Sequence, residues 1–180
     1  MPGKNTAIVF ALCSALMLTF CFGFTSEAAA PTASASGHGT VFDGVAPNGQ
    51  PNRRQFSFSA RMNGDGSASG TAVLHNPADD GAHGNQPYGL LIDISCMKVV
   101  GNVAFFGGLT RRTTDPNLVD AVYFSIEDNG QPGAGTDRIS RAFFFDDDPT
   151  TTGDPQLCQG IQIGDFPMQT IEAGNIRLAN

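Results

Sequence analysis

Gln55–Met62 reads QFSFSARM, and its alternation decides the fold class. Phe56, Phe58, Ala60 and Met62 fall on one face, Gln55, Ser57, Ser59 and Arg61 on the other. A period of two belongs to a strand with one buried face. The turn residues Asn63, Gly64, Asp65 and Gly66 follow. Ala68 to His75 then returns with Thr71 and Val73 alternating with Ala72 and Leu74, which predicts a hairpin.

The same punctuation continues downstream. Leu90, Ile92, Ile94 and Cys96 share a predicted face, Gly101-Asn102 supplies a turn, and Val103 to Thr110 returns through Phe105 and Phe106. The middle of this second hairpin is apolar on both faces, which predicts cover from both sides. A third hairpin is expected between Val119–Ile126, where Val122, Phe124 and Ile126 share a face, and Ile139–Phe145. Ile161–Ile163 and Asn175–Leu178 are the last strand signals. No stretch past residue 30 combines helical apolar spacing with caps. The expected fold is therefore all-β: a single antiparallel β-sandwich or partly closed β-barrel of about 8–10 strands.

The amino-terminal stretch is of another kind. Lys4 precedes an uncharged apolar run from Ala7 to Phe24, and Ser26 to Ala35 is small and Ala-rich, the order of a cleavable signal peptide. Cleavage is expected after Ala28, with Ala35 as the alternative. An uncleaved anchor is the competing reading, because the run would reach about 27 Å as a helix. The resulting organisation is a signal peptide over 1–28, a flexible lead over 29–39 and one all-β domain over 40–180. The expected location is extracellular or in the cell envelope, with no membrane span after signal removal.

Composition narrows the partners. With 22 Gly and 11 Pro in 180 residues, the chain falls below the share that marks disorder. Its net charge of -7 and lack of a basic stripe oppose nucleic acid and anionic membranes as partners. Of fourteen Phe, the ten past the signal, with no Trp, give an aromatic, chemically inert core. Of four Cys, Cys13 and Cys21 lie in the signal, whereas Cys96 and Cys158 remain in an oxidising compartment and are expected to pair. The alternatives for these two, a thiol nucleophile or a metal pair, lack a CxxC spacing and a neighbouring His.

The segment FSIEDNGQPGAGTDRI, Phe124 to Ile139, and the terminal AGNIRL, Ala173 to Leu178, resemble the C-terminal half of a bacterial secreted β-domain type called the post-COAP-1 domain. The hairpin from Phe56 to His75 and the turn at Gly101 and Asn102 are similar to its upstream half. Two features depart from the type: Gln131 stands where Glu is usual, and the stretch between Asp146 and Met168 is longer and carries Cys158. The resemblance implies a secreted or surface-associated β-domain and no particular activity.

Oxygen ligands cluster in the same segment. Glu127, Asp128, Asn129 and Asp137 form a candidate calcium set, since hard cations take several such oxygens at once. Ordinary turn chemistry is the other reading, because Asp-Asn-Gly and Pro-Gly are what a tight connection uses to bond its own backbone. No other cofactor is expected. Asp146-Asp147-Asp148 with Asp154 reads as a solvated loop protecting Phe143-Phe144-Phe145 from edge pairing. His38, His75 and His83, with Asp79 and Asp80, would need to converge to hold a transition metal. His38 is placed in the flexible lead.

Catalytic signatures are lacking: no GxSxG, HExxH, GxxxxGK or GxGxxG after a strand. Asp93, Asp120 and Glu127 are carboxylates from which a glycosidase pair could be drawn, although outward strand positions are commonly charged. Arg53-Arg54, Arg111-Arg112, Arg138 and Arg141 either grip an acidic partner or neutralise aspartates within the molecule. Three functions follow as expectations. The first is a secreted non-catalytic envelope or matrix module touching polysaccharide or protein. The second is a small-molecule carrier with a hollow barrel. The third is a carbohydrate-directed hydrolase.

Overall fold

The computed structural model describes residues 32–45, 49–64, 67–77, 88–114, 118–145 and 151–180. The expected signal peptide, His83, Asp79, Asp80 and Asp146–Asp148 lie outside the described residues. Eight antiparallel strands follow one another around a closed barrel: β1 (Ala33–Val45), β2 (Pro51–Met62), β3 (Ala68–Asn76), β4 (Tyr88–Val100), β5 (Val103–Thr113), β6 (Ala121–Glu127), β7 (Arg138–Ser140) and β8 (Met168–Ala179). Each pairs with the next in sequence, and β8 returns to β1. Closure removes the exposed edges that an open sheet of this length would present to other chains.

The first correction concerns the lead. Residues expected to be flexible up to Gly39 form β1 from Ala33 onward, with Ala33, Ala35 and Val41 buried. Gly37 and Gly39 also turn inward, and β2 supplies what they lack. In register, Phe58 lies opposite Gly37 and Phe56 opposite Gly39. A Cβ on Gly37 would sit 2.7 Å from the Phe58 ring, and one on Gly39 3.0 Å from the Phe56 ring. The rings of one strand thus occupy the space above the glycines of its neighbour, the aromatic cover that lets a glycine strand pair stably. Alternating Ala, Ser and Gly carries little hydrophobic signal by itself, so the strand is invisible until its partner is known.

The interior is filled by aromatic rings. Phe106 stacks on Phe124 at 4.7 Å, and Phe58 meets both, at 5.6 and 5.9 Å. Ile92, Ile126, Ile139, Ile171 and Ile176 complete the layer around them. An eight-stranded barrel has an interior just wide enough for side chains to fill.

A second layer covers the outside. Cys96, Val103, Phe105, Ala121 and Tyr123 form a separate cluster with Cys158, Ile161 and Phe166. The covering segment leaves β7, bridges Phe143 to Tyr123, and forms a short 3-10 helix, Pro155–Gly160. The two-sided apolar character of β5 is thereby explained. Gly107 makes the contact possible, because a Cβ there would lie 2.1 Å from the Pro155 carbonyl oxygen.

A second correction follows from this layer. Strict alternation placed Cys96 beside Ile92 and Ile94, but a bulge between Ile94 and Cys96 shifts the register against β5. One extra residue exchanges the faces beyond it. Cys96 therefore joins the outer cluster and Met97 the interior. Three smaller differences remain. Ile161–Ile163 is no strand, with Ile161 buried under the outer layer and Ile163 exposed. The third hairpin closes on the three-residue β7, and Val119 precedes β6 as an exposed residue. Asn175–Leu178 is part of the twelve-residue β8.

Candidate functional site

Cys96 and Cys158 are bonded to each other, with Cα atoms 6.2 Å apart and both residues buried. This pairing spends both thiols on holding the outer layer to β4.

The acidic loop 128–137 folds back along β8. Asp137, fully buried, accepts the Asn129 amide through Oδ1 at 2.9 Å and the Ile176 amide through Oδ2 at 2.8 Å. Asp128 accepts Gly130 N–H through Oδ1 at 2.9 Å and Leu178 N–H through Oδ2 at 2.8 Å. All four oxygens therefore latch the loop to itself and to β8. Glu127 faces Arg138 at 3.2 Å, and the Asn129 side-chain oxygen accepts from Asn102 at 3.0 Å. A Cβ on Gly133 would come within 2.1 Å of Asp137 Oδ2, so only glycine leaves the carboxylate its place.

A cation at Asp128 and Asp137 would have to compete with these donors. The expected result is superimposable melting curves in millimolar calcium and in chelator. A rise of several degrees in calcium would restore the cation reading. In the same assay Asp137→Ala should cost about 2–4 kcal/mol, because it orphans two amides that the fold otherwise satisfies.

The carboxylates named for hydrolysis are held separately. Asp93 faces Arg111 at 3.6 Å, Asp120 Oδ1 accepts the amides of Ala121 and Gly153, and Glu127 pairs with Arg138. Asp120 and Glu127 stand at opposite ends of β6, roughly 20 Å apart at the strand rise. Glycoside cleavage needs its two carboxyls within about 5–10 Å. His38 and His75 lie on the outer faces of β1 and β3, and no group of three or more metal-ligating side chains forms among the described residues. Asp154 caps the 3-10 helix, accepting from Gln156 N–H at 2.8 Å.

Five of the six paired arginines serve the molecule itself. Arg53 meets Glu172, Arg54 and Arg141 meet Asp43, Arg111 meets Asp93 and Arg138 meets Glu127. At one end of the interior, a void lined by Val41, Arg54, Phe56, Leu74, Tyr88 and Ile139 measures about 10 Å³, room for one water. An apolar cargo finds no chamber among the described interior residues.

The outer surface offers more. A shallow depression runs beside loop 128–137 over β8, β1 and β2. Its widest part, about 600 Å³, is lined by Ser36, His38, Ser57, Gln131, Asn175 and Arg177. It continues past Ser34, Asp128 and Leu178, about 450 Å³, toward Asn102 and Asn180, about 310 Å³. From Asn175 to Asn180 it follows β8 for roughly 17 Å. Gln131 braces its wall, donating to Asn175 at 2.6 Å.

Two features build this floor. Gly174, at φ +104°, adopts a backbone that other residues rarely take, and a Cβ there would meet the His38 carbonyl oxygen at 2.0 Å. It pairs with Gly39, and the β1–β8 register shifts just beyond, between the Thr40–Ala173 and Val41–Ile171 pairs. Serines recur at the outward positions of β1 and β2: Ser36 lies opposite Ser59 and Arg177, and His38 opposite Ser57 and Asn175. In the sequence Arg61 stands on the polar face of the 55–62 strand and Arg177 within the terminal AGNIRL, with nothing local to join them. The available signal was an absence of acid: residues 33–42, 53–62, 68–76 and 173–180 contain no Asp or Glu, in a chain of net charge -7. The residues that carry the family resemblance, 124–139 and 173–178, are those that form the loop and strand of this depression. Comparison with protein-family models, with curated proteins and with solved structures finds no match to this chain.

Proposed function

We propose that the protein is a secreted, non-catalytic binding module of the extracellular matrix or cell envelope, and that a polysaccharide chain lies along the depression beside loop 128–137. The observation that carries the reading is the lining itself. Beside Phe58, Leu178 and Ala179 it presents hydroxyl, amide, imidazole and guanidinium groups from a rigid barrel, with the oxygens of its one acid, Asp128, already engaged by backbone. Such groups satisfy the many hydroxyls of a sugar polymer while the strands hold their spacing fixed. An open trough of this length suits a chain better than a compact small molecule, which needs an enclosed pocket.

Export is part of the proposal, supported by the leader pattern and by a buried disulfide, which persists in oxidising compartments. The spacing of Asp120 and Glu127 along β6 and the pairing of Asp93 with Arg111 support a binding role over a hydrolytic one. The test is binding to an array of purified polysaccharides, with wild type compared with Asn175→Ala and with Gln131→Ala, which lose the brace. Each variant should weaken binding several-fold at unchanged melting temperature. Failure to bind any polysaccharide, or binding indifferent to both substitutions, would overturn the proposal.

A further inference from the structure

The geometry points to an anionic polysaccharide, one bearing carboxylates along its length, as the ligand of this face. The inference rests on the binding-module reading above and adds the sign of the ligand's charge.

The argument is the distribution of charge. The outward positions of β8, β1, β2 and β3 carry Arg177, His38, Arg61 and His75 among serines and threonines. Over residues 33–42, 53–62, 68–76 and 173–180 there is no acidic residue, although acids outnumber Lys and Arg by 17 to 10 in the chain as a whole. Elsewhere on the barrel five of six arginines are matched: Arg53, Arg54, Arg111, Arg138 and Arg141 each have a carboxylate within 4 Å among the described residues, and Arg112 on β5 does not. Among the described residues Arg61 and Arg177 have none. Both are exposed.

Their placement suits a repeating ligand. Arg177 lies opposite Ser36 on β1, which lies opposite Ser59 on β2, and Arg61 is two residues beyond Ser59. Two strand spacings across and two residues along put the two Cα atoms roughly 12 Å apart. Ser34 and Ser36 lie between them, in the depression's floor. A guanidinium presents a planar fork that a carboxylate fills bidentately, and the acid of this depression, Asp128, is already held by the amides of Gly130 and Leu178. Two such forks joined by hydroxyls would read successive acid groups of one chain. An overall negative protein would repel a polyanion everywhere except across this acid-free face, which also sets the orientation of approach.

The experiment uses the full exported protein with three immobilised probes: polygalacturonate, neutral dextran and duplex DNA. It compares wild type, Arg61→Gln, Arg177→Gln, the double variant, and Arg112→Gln, which removes an equal charge from the exposed part of β5. Polygalacturonate should be retained, with affinity falling as salt rises from 50 to 500 mM. Loss of each arginine should weaken it by roughly tenfold, whereas Arg112→Gln should leave it unchanged. Melting temperatures should match throughout, since neither residue has an internal partner. Equal retention on dextran, insensitive to salt and to both substitutions, would overturn the anionic inference while leaving the binding module standing. Retention on DNA as strong as on polygalacturonate would overturn it as indiscriminate charge attraction. No retention on either polysaccharide would overturn both readings.

Discussion

Replacement of both Cys96 and Cys158 by alanine is expected to lower the melting temperature by about 10 °C, the largest effect of any pair of substitutions on the outer layer. The bridge spans 62 residues of sequence. Its loss returns loop-closure entropy to the unfolded chain, about 4 kcal/mol on the chain-entropy account, and for a domain of this size each kcal/mol moves the midpoint by about 2–4 °C. The remaining ties of the cover are few. Tyr123 Oη donates to the Asp154 carbonyl at 2.6 Å, Lys98 Nζ donates to the carbonyls of Gln159 and Ile161, and Phe143 stacks on Phe166 at 4.2 Å. Without the bridge, the cover should also open below the global transition, exposing Val103, Phe105 and Tyr123 to a hydrophobic dye. Differential scanning calorimetry and dye binding on the double variant decide the matter. A midpoint within about 2 °C of wild type would show that packing alone holds the layer.

The second large effect lies at the end of the interior where β1 and β2 approach their connection. Arg54 points inward in the same alternation as Phe56 and Phe58, its side chain 9% exposed. Its Nε approaches Asp43 Oδ2 at 3.1 Å, a charge contact without hydrogen-bond alignment. Its other nitrogens donate to the Ser140 carbonyl and to Gln169. Asp43 Oδ1 also accepts from Arg141 at 2.8 Å and from Gln169 at 2.7 Å. Asp43→Asn removes a countercharge that two guanidiniums share, the deeper of them buried. Breaking one side of such a pair costs about 3–5 kcal/mol, so a midpoint about 10 °C lower is expected.

The pH dependence has a definite sign. Burial pushes the Asp43 carboxyl up, but the hydrogen bonds from Gln169 and Arg141 and the charges of Arg54 and Arg141 outweigh it and hold the group below its ordinary value of 3.8. A folded-state value lower than the unfolded one means that the unfolded chain binds the proton more readily. The contribution to stability is therefore complete above the unfolded value and is lost as pH falls through the folded one. The deficit of Asp43→Asn should be constant from about pH 8 to pH 5 and shrink below about pH 4. Thermal melts of both proteins across that range test it; a deficit that grows in acid would refute the assignment.

These residues also show what reading the chain could and could not reach. Alternation from Phe56 identified β2 and its partner β3, and carried two residues backward it would have placed Arg54 inside. The arginine was instead read as one of a surface pair, because charge outweighs periodicity when a position is judged alone. The oxygens of Asp128 and Asp137 were legible as a cluster, but their use was not. A carboxylate that ligates a cation and one that caps two amides have the same sequence, and only the return of β8 brings the amides of Ile176 and Leu178 within reach.

Period-two patterning by itself determined an all-β chain with antiparallel hairpins, because the alternation of side chains across a strand is a local property of extended backbone. The count of two cysteines past the leader led to the pairing of Cys96 with Cys158. Closure into a barrel, the inward turn of Gly37 and Gly39, the bulge that moves Cys96 outward and the gathering of Arg61 and Arg177 on one acid-free face were decided only by tertiary structure. Each depends on which strand lies beside which, and that contact is set by the packing of Phe56, Phe58, Phe106 and Phe124 across strands far apart in sequence.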